Sequence, residues 1–253
     1  MKSDNQTIYP VADEYTWPVK ITTYDAGRDR RLRLSSQLRL QQEVGELHLA
    51  SAGLGWEEFY RNGMVFVLVK AASVIHRAPI MDEEVYLRTW HRDTKGVQFF
   101  RCYQFLDKEG QALIDSVSAF ALVDPVEHKL LRPDVFDRFG VHTQPDKRGN
   151  CPDPGRLRLP DGMVDGGTRP IHWSDTDYNG HLNNAVYADI LCDYLPGGMA
   201  GRRVTGFHIS FVKEALEGEI LHISALEKDG EAFLSASHGR GKCFDASLAF
   251  EQD

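Results

Sequence analysis

Residues 171–195 read IHWSDTDYNGHLNNAVYADILCDYL, a polar segment followed by an apolar one. The apolar part predicts a helix buried on most of its circumference, because it carries two adjacent stripes at helical spacing. One stripe is Leu182, Val186, Ile190 and Tyr194, and the other is Tyr187, Leu191 and Leu195. The polar part contains His172, Asp175, Asp177, Asn179, His181, Asn183 and Asn184. A turn and a helix cap need only some of these side chains, so the surplus indicates a functional site.

Three of the polar side chains have a spacing that suggests their chemistry. Asp177, Asn179 and His181 recur at every second position, so an extended backbone would direct them to one face. A carboxylate, an amide and an imidazole can together accept a proton, hold a carbonyl oxygen and fix a water. These groups are the ones needed to hydrolyse an activated acyl group.

A metal site is the alternative use of this segment. His172, Asp175, Asp177 and His181 are side chains that bind Zn or Fe in other proteins. The H-x-x-x-H and H-E-x-x-H spacings of helical metal sites are absent from the sequence. We therefore expect no metal and no other cofactor.

The chain divides into two halves with the same order of elements. Each half begins with an Ile-x-x-x-Asp segment, at 21–25 and 171–175, and each continues with one long helical pattern. In the first half the pattern is Leu40, Val44, Leu47 and Ser51, with Ser35 or Ser36 as the candidate N-cap and Gly53 as the predicted stop. Strand-like runs follow, at 65–77, 84–92, 97–106 and 112–123, and again at 203–213, 219–227, 232–238 and 243–251. The pattern predicts an α+β protein in which a helix wrapped by a curved antiparallel sheet occurs twice; one continuous α+β domain is the alternative.

Prolines mark the joint between the halves. Seven of the eleven prolines lie between Pro125 and Pro170, among several glycines, which predicts a connector along the surface. The predicted organisation is a first domain over 1–130, a connector over 131–168 and a second domain over 169–253.

Composition and charge exclude several classes of protein. With 253 residues, a net charge of −8 and a pI near 5.7, the chain does not have the basic surface of a nucleic-acid-binding protein. No apolar run approaches the length of a membrane span. Residues 1–20 are polar and contain acids, which is untypical of a signal or transit peptide. Four scattered cysteines predict reduced thiols and a cytoplasmic location.

Several motifs resemble those of the acyl-acyl carrier protein thioesterases. The run D-x-N-x-H-x-N-N at 177–184, followed by an aromatic helix that ends in Leu-Pro, is similar to the catalytic segment of that family. The run SFVKEA at 210–215 resembles the family's strand carrying Arg-Arg-Glu-Cys, with Lys213 and Glu214 in the Arg-Glu positions. In the first half, residues 42–54 resemble the family's first helix, and residues 77–90 resemble a strand pair of the family.

This resemblance implies two tandem hot-dog folds, with catalysis in the second. The family's catalytic residues correspond to Asp177, Asn179, His181 and Glu214. Plant members have a cysteine at the position of Ala215, so a thiolate there cannot be the nucleophile of this chain. The leading mechanism is water activated by Glu214 with His181, while Asn179 positions the water or the carbonyl. Asp177 either orients its neighbours or attacks directly, and a backbone N–H at the start of the second helix would hold the oxyanion.

The first half is expected to be non-catalytic and to form the channel for the acyl chain. Aligning residues 73–78 with 210–215 places Arg77 at the position of Glu214. Candidate channel residues are Val44, Leu47, Trp56, Phe66 and Leu68. Candidate docking residues for the acidic carrier protein are Arg28, Arg30, Arg31 and Arg33, in a stretch whose alternative interpretation is a solvated loop.

The resemblance implies hydrolysis of fatty acyl-acyl carrier protein by a monomer or homodimer. Three other functions stay open. They are hydrolysis of acyl-CoA, a hydratase or dehydratase reaction on the same fold, and binding of acyl groups without catalysis.

Overall fold

The computed structural model describes residues 9–252 and contains one ten-stranded antiparallel sheet with two long helices. The first half comprises β1 (Tyr15–Lys20), α1 (Leu34–Ala50), α2 (Trp56–Arg61), β2 (Val65–Ile75), β3 (Glu84–Lys95), β4 (Gln98–Leu106) and β5 (Ala112–Val123). A short helix, α3 (Asp134–Asp137), lies between the halves. The second half comprises β6 (Val164–Pro170), α4 (Asn184–Asp193), β7 (Arg202–Phe211), β8 (Ile220–Lys228), β9 (Glu231–His238) and β10 (Gly241–Gln252). Residues 1–8 and 253, which the predicted domains and the N-terminal expectation include, lie outside the described residues.

The order of strands confirms the two tandem hot-dog folds that the sequence predicts. The order is β1-β3-β4-β5-β2-β7-β10-β9-β8-β6, so each half supplies five strands in the same relative arrangement. The halves join where β2 pairs with β7, from Lys70 opposite Ser210 to Val74 opposite Gly206. A Cβ at position 206 would lie 2.8 Å from the carbonyl oxygen of Ser73, so close strand pairing at this seam requires glycine.

The two long helices contact each other and pack against the sheet. Helix α4 begins where Asn183 Oδ1 accepts a hydrogen bond from the N–H of Ala185 at 2.9 Å. Helix α1 differs from the expected start, because its N-cap is Arg33 and no side chain caps it. Ser35 and Ser36 instead lie buried within the first turn, since Leu34 is already held in the core. The helix ends at Ala50, and Gly53 follows in a turn with φ of +84°.

Two strands were not expected from the sequence, and both form edges of the sheet. Strand β1 contains Pro18 and pairs with β3, and strand β6 ends at Pro170 and pairs with β8. An edge strand accepts proline because one side of it needs no ladder hydrogen bonds. The stretch predicted as a connector, 131–168, therefore includes α3 and the beginning of β6.

Candidate active site

The segment 176–182 forms a tight turn that directs its side chains toward a cavity. The N–H of Asp177 donates to the carbonyl of His181 at 2.8 Å, and the N–H of Gly180 donates to the carbonyl of Asp177 at 2.9 Å. Gly180 has a φ of +75°, which favours glycine. The alternate spacing of Asp177, Asn179 and His181 would direct them to one face only in an extended backbone, and the backbone here is not extended. The backbone folds back because Asp177, Asn179 and Gly180 are turn-forming residues.

Asp177 stabilises this turn with its own carboxylate. Its Oδ1 accepts hydrogen bonds from the N–H of Asn179 at 2.8 Å and from the N–H of His181 at 3.4 Å. The carboxylate therefore fixes the backbone of the two residues that flank Gly180. This contact gives Asp177 an orienting role by geometry.

A salt bridge anchors the start of the segment. Arg169 donates to both carboxylate oxygens of Asp175, at 2.9 and 3.0 Å, and Asp175 also accepts from the N–H of His172. The hydrogen bond from Arg169 lowers the pKa of Asp175 against the opposing effect of burial. Asp175 thus holds the chain in place before the turn.

Within residues 9–252, no group of three or more His, Cys, Asp or Glu side chains is arranged to hold a metal.

Glu214 is brought beside this turn by the end of β7. The N–H of Leu182 donates to the carbonyl of Ala215 at 2.8 Å, and His181 forms an isolated bridge with Leu216. Asp177, Asn179, His181 and Glu214 consequently line one cavity of about 470 Å³. The four predicted catalytic residues, which the sequence spreads over 38 positions (177 to 214), share one site.

Arg240 controls the charge of Glu214, and sequence reasoning missed it. Its guanidinium donates to Glu214 Oε1 at 2.9 Å and to the backbone oxygen of Glu214 at 2.7 Å. It also donates to both oxygens of Glu219, at 2.7 and 2.9 Å. Burial raises the pKa of Glu214, but the hydrogen bond from Arg240 and the positive charge of Arg240 outweigh this effect and hold the pKa below its usual range. Glu214 is therefore a carboxylate at neutral pH.

The first half repeats this backbone without its chemistry. The N–H of Gly27 donates to the carbonyl of Arg31 at 2.8 Å, and this hydrogen bond is equivalent to the one from Asp177 to His181. The N–H of Leu32 donates to the carbonyl of Pro79 at 2.8 Å, and this hydrogen bond is equivalent to the one from Leu182 to Ala215. The first half thus carries Gly27, Asp29, Arg31 and Ala78 where the second half has Asp177, Asn179, His181 and Glu214.

The expectation that Arg77 corresponds to Glu214 is wrong by one residue. Both Arg77 and Lys213 donate their N–H to a strand carbonyl, of Leu113 and Cys243 respectively, at 3.1 Å. This shared contact makes Lys213 the counterpart of Arg77. An alignment by residue type cannot detect the shift.

The cavity extends between α1 and the sheet of the first half, and its lining includes some of the predicted channel residues. Phe66 and Leu68 line it. Val44 is fully buried in the core, and Leu47 is half-buried on α1; neither lines the cavity. Trp56 also lies outside the lining, 41% exposed, and its ring contacts Tyr60 and Tyr178. Tyr178, which the sequence did not single out, connects α2 to the turn at 176–182.

The four arginines proposed for docking lie on the first-half counterpart of the turn at 176–182. Arg28, Arg30 and Arg33 are exposed, and Arg31 is half-buried and forms an ion pair with Asp29 at 3.6 Å. None of the four lines the cavity.

The four cysteines are unpaired. Cys243 lies 3.6 Å from the hydroxyl of Tyr187, and burial raises its pKa to about 11. Burial also raises the pKa of Cys102 to about 11 and that of Cys192 to about 12. These thiols are protonated at neutral pH and are poor nucleophiles.

Fold and site together define a protein with two hot-dog folds, one of which places a carboxylate, an amide and an imidazole in a shared cavity. The model of the acyl-ACP thioesterase N-terminal domain matches residues 12–137, and that of the C-terminal domain matches residues 168–242. The chain therefore belongs to the acyl-ACP thioesterase family.

Similar proteins of known name and known structure agree with this assignment. The chain is 24% identical over 230 residues to the chloroplastic acyl-[acyl-carrier-protein] hydrolase FATB2 of Cuphea viscosissima. The matched region covers 84% of this chain and 55% of that protein. It is 23% identical over 200 residues to the chloroplastic palmitoyl-acyl carrier protein thioesterase of Arabidopsis thaliana, covering 72% of this chain and 47% of that protein. The chain thus spans about half the length of the curated relatives it matches.

Two solved structures have the same fold. The crystal structure of an acyl-ACP thioesterase from Bacteroides thetaiotaomicron superposes with a TM-score of 0.83 at 19% identity, covering 94% of this chain and 98% of that one. The 12:0-ACP thioesterase from Umbellularia californica superposes with a TM-score of 0.78 at 17% identity, covering 96% of this chain and 98% of that one.

Among the described residues, no helix is both long and apolar enough to cross a membrane.

Proposed function

We propose that the chain hydrolyses the thioester of fatty acyl-acyl carrier protein to a free fatty acid and the carrier protein. The observation that carries this proposal is the cavity that Asp177, Asn179, His181 and Glu214 share with apolar side chains of the first half. A cavity with reactive groups from one half and an apolar wall from the other suits an acyl thioester. The relatives, an acyl-[acyl-carrier-protein] hydrolase and a palmitoyl-acyl carrier protein thioesterase, support the same substrate class.

Glu214 and His181 divide the work of the general base. Glu214 is held as a carboxylate by Arg240 and therefore can accept a proton from the attacking water, with His181 beside it. The hydroxide adds to the thioester carbonyl, and the tetrahedral intermediate expels the thiolate. The thiolate takes up a proton from the protonated base, which restores the starting state.

Asn179 and Asp177 position the reacting groups. The amide of Asn179 orients the water or the carbonyl from the tip of the turn. Asp177 acts as an orienting residue, because Oδ1 already accepts two backbone hydrogen bonds within the turn. The oxyanion would be held by a backbone donor at the start of α4. The N–H of Ala185 is taken by Asn183, which leaves Asn184, a residue of the cavity wall, as the candidate donor.

The proposal includes the biological setting. The carrier protein is the macromolecular partner, and no nucleic acid or metal is required. Four unpaired thiols support a reducing compartment, and we place the protein in the cytoplasm. The two halves form a dimer-like unit, which suits a chain that works as a monomer or as a homodimer.

Matched acyl-carrier-protein and acyl-CoA thioesters of increasing chain length test the proposal. We expect faster release of fatty acid from the carrier-protein substrates, and a loss of about 10²–10⁴ in rate in His181→Ala and in Glu214→Ala. Glu84→Gln, which removes an exposed carboxylate outside the cavity, is the matched control and should leave the rate unchanged.

Two other outcomes would change the assignment. A preference for CoA would keep the chemistry and replace the partner. A folded protein that hydrolyses neither substrate would contradict the proposal and favour a hydratase, a dehydratase or an acyl-binding protein.

A further inference from the structure

The first-half wall of the cavity is partly polar, which an acyl channel for plain hydrocarbon chains does not need. Eight of its lining residues carry hydrogen-bonding groups: Ser118 and His128, and six on α1, β3 and β4, which are Gln41, Gln42, Glu46, His91, Arg101 and Tyr103. Polar groups desolvated by a hydrocarbon chain without new hydrogen bonds weaken binding. These residues belong to the half that lacks the catalytic set.

Arg101 is the central member of this wall. It lies on β4, is 4% exposed and lines the cavity. Nη1 donates to His48 Nδ1 and to Thr89 Oγ1, each at 3.1 Å, and Nη2 donates to His91 Nε2. Every one of these acceptors belongs to an uncharged group.

The histidines beside Arg101 do not compensate its charge. Burial and the charge of Arg101 lower the pKa of His48 to about 4 and hold the pKa of His91 well below its usual range. Both rings are therefore neutral acceptors at pH 7. Within residues 9–252, no carboxylate lies within ion-pair distance of Arg101, although Glu46 lines the same wall. A buried cation without a paired anion is costly and is retained where it has a function.

A space about the size of a methyl group lies beside this guanidinium. Helix α1 has a glycine, Gly45, at the point where it faces Arg101. A Cβ at that position would meet Tyr103 Oη at 3.6 Å, Arg101 Cδ at 3.8 Å and Arg101 Nε at 3.9 Å. These are ordinary contact distances, so a methyl group fits there without a clash. The helix leaves room next to Arg101 that belongs to the cavity.

We propose that Arg101 and Glu46 form a subsite for a hydroxyl group on the acyl chain, so that the preferred substrate class is hydroxylated acyl thioesters. A hydroxyl oxygen accepts a hydrogen bond from the guanidinium, and its proton is donated to the carboxylate on the same wall. A plain methylene at that point offers a hydrogen bond to neither group. This inference deepens the proposed function and rests on it for the identity of the substrate, whereas the subsite itself is a property of the cavity.

Kinetics on matched carrier-protein thioesters provide the first test. One series carries plain chains, a second carries a hydroxyl at successive carbons, and a third carries a terminal carboxylate. We expect kcat/KM for one hydroxylated isomer to exceed that of the plain chain by about tenfold or more, since a site built to hydrogen-bond a hydroxyl rejects the analogue that lacks it. A preference for the terminal carboxylate instead would overturn the hydroxyl assignment.

Binding without turnover provides the second test. S-alkyl pantetheine thioethers cannot be hydrolysed, and calorimetry compares the plain and hydroxylated forms. We expect the same hydroxylated isomer to bind about tenfold more tightly. If plain thioesters are hydrolysed and no hydroxylated form is preferred, the subsite is wrong while the proposed function stands. If no thioester is hydrolysed but the hydroxylated thioether binds more tightly, the proposed function is wrong while the subsite stands.

Two variants assign the preference to this place in the cavity. Arg101→Met should abolish the hydroxyl preference, and Arg88→Met, which removes a positive charge from β3 outside the cavity, is the matched control and should keep it. Arg101 also holds Thr89 and two histidines, so its loss endangers folding. Gly45→Ala avoids this risk, because alanine favours the helix and its methyl group occupies the space beside the guanidinium. We expect it to reduce the preference several-fold; an unchanged preference in folded Arg101→Met or Gly45→Ala would overturn the proposal.

Discussion

Arg240 fixes Glu214 from two directions, with one hydrogen bond to the carboxylate at 2.9 Å and one to the backbone oxygen at 2.7 Å. The same guanidinium holds Glu219, whose carboxylate accepts the N–H of Leu216 at 2.8 Å. The turn between β9 and β10 therefore sets both the position and the charge of the candidate general base. This arrangement predicts effects on pH dependence and on stability that can be measured separately.

Removal of Arg240 should shift the pH profile of catalysis. In Arg240→Gln the pKa of Glu214 loses the hydrogen bond that lowers it, so the carboxylate becomes protonated at a higher pH. Since the base works only when deprotonated, the acid limb of the kcat/KM profile should move to higher pH. Arg77→Gln is the matched control, because Arg77 pairs with Glu83, the first-half counterpart of Glu219. An unmoved acid limb in folded Arg240→Gln would contradict the role of Glu214 as the base.

The same variant should lose stability in a pH-dependent way. The hydrogen bond from Arg240 lowers the pKa of Glu219 to about 2, from an ordinary value of 4.5. A carboxyl whose pKa is depressed by folding stabilises the native state above its unfolded pKa, and this contribution disappears as the pH falls through the folded value. Urea unfolding should therefore show the largest difference between wild type and Arg240→Gln above about pH 4.5, and the difference should shrink toward pH 2. A difference that stays constant over this range would exclude the linkage.

The role of Asp177 can be decided by comparing two substitutions. Asp177→Asn keeps an oxygen that can accept from the N–H groups of Asn179 and His181, whereas Asp177→Ala removes it. If Asp177 orients the turn, the asparagine variant should retain activity within about tenfold of wild type, and the alanine variant should lose about 10² or more. A nucleophilic Asp177 would make both variants equally inactive. Single-turnover release of fatty acid is the measurement, with circular dichroism as the control for folding.

Much of the fold could be predicted because its main elements have strong local signals. All eight strand-like runs that the sequence predicts correspond to strands, with ends that agree within a few residues. Helix α4 follows from apolar stripes that are largely buried in the structure. In the stripe predicted for α1 only Val44 is buried, because the buried face of that helix also carries polar residues such as Gln37, Gln41 and His48. Because a helix is followed by strands in both halves, few arrangements bury both helices. The pairing of two equivalent halves in one sheet follows from this.

The elements that were missed depend on contacts distant in sequence. Strands β1 and β6 contain prolines that normally argue against a strand, and only their place at the edges of the sheet makes them acceptable. The one-residue shift between Arg77 and its expected counterpart became visible only through backbone hydrogen bonds to Leu113 and Cys243. Residue type alone could not show it.

The candidate site was predictable in its reactive groups and unpredictable in their surroundings. Asp177, Asn179 and His181 are close in sequence, and the family resemblance added Glu214. Arg240 lies 26 positions beyond Glu214 in a glycine-flanked turn, where an arginine normally indicates nothing more than a solvated loop. Val44 shows the same limit, because its helical spacing predicts an inward position but does not distinguish the core, where it lies, from the cavity.

The basic loop of the first half gives a prediction about association. If Arg28 and Arg30 dock an acidic carrier protein, the double charge reversal Arg28→Glu/Arg30→Glu should lower kcat/KM for carrier-protein substrates by about tenfold at low salt. Both side chains are exposed, and Arg30 has a φ of +65° that glutamate adopts at a similar cost, so folding should be little affected. Acyl-pantetheine, which has no protein surface, is the control substrate and should be unaffected. Equal efficiency at low and high salt, with or without the reversal, would remove the docking role.

The cavity predicts which side chains set the acyl chain length. Leu68 lines the cavity, so Leu68→Trp should fill part of it and move the preference toward shorter chains. Each methylene that no longer fits should cost about 0.8 kcal/mol, or about fourfold in kcat/KM. Leu47→Trp is the matched control, since Leu47 lies on α1 outside the lining and should leave the chain-length profile unchanged. Competition between carrier-protein thioesters of two lengths measures the shift directly. If Leu47→Trp changed the profile and Leu68→Trp did not, the acyl chain would have to follow the other side of α1, and the cavity would not be its channel.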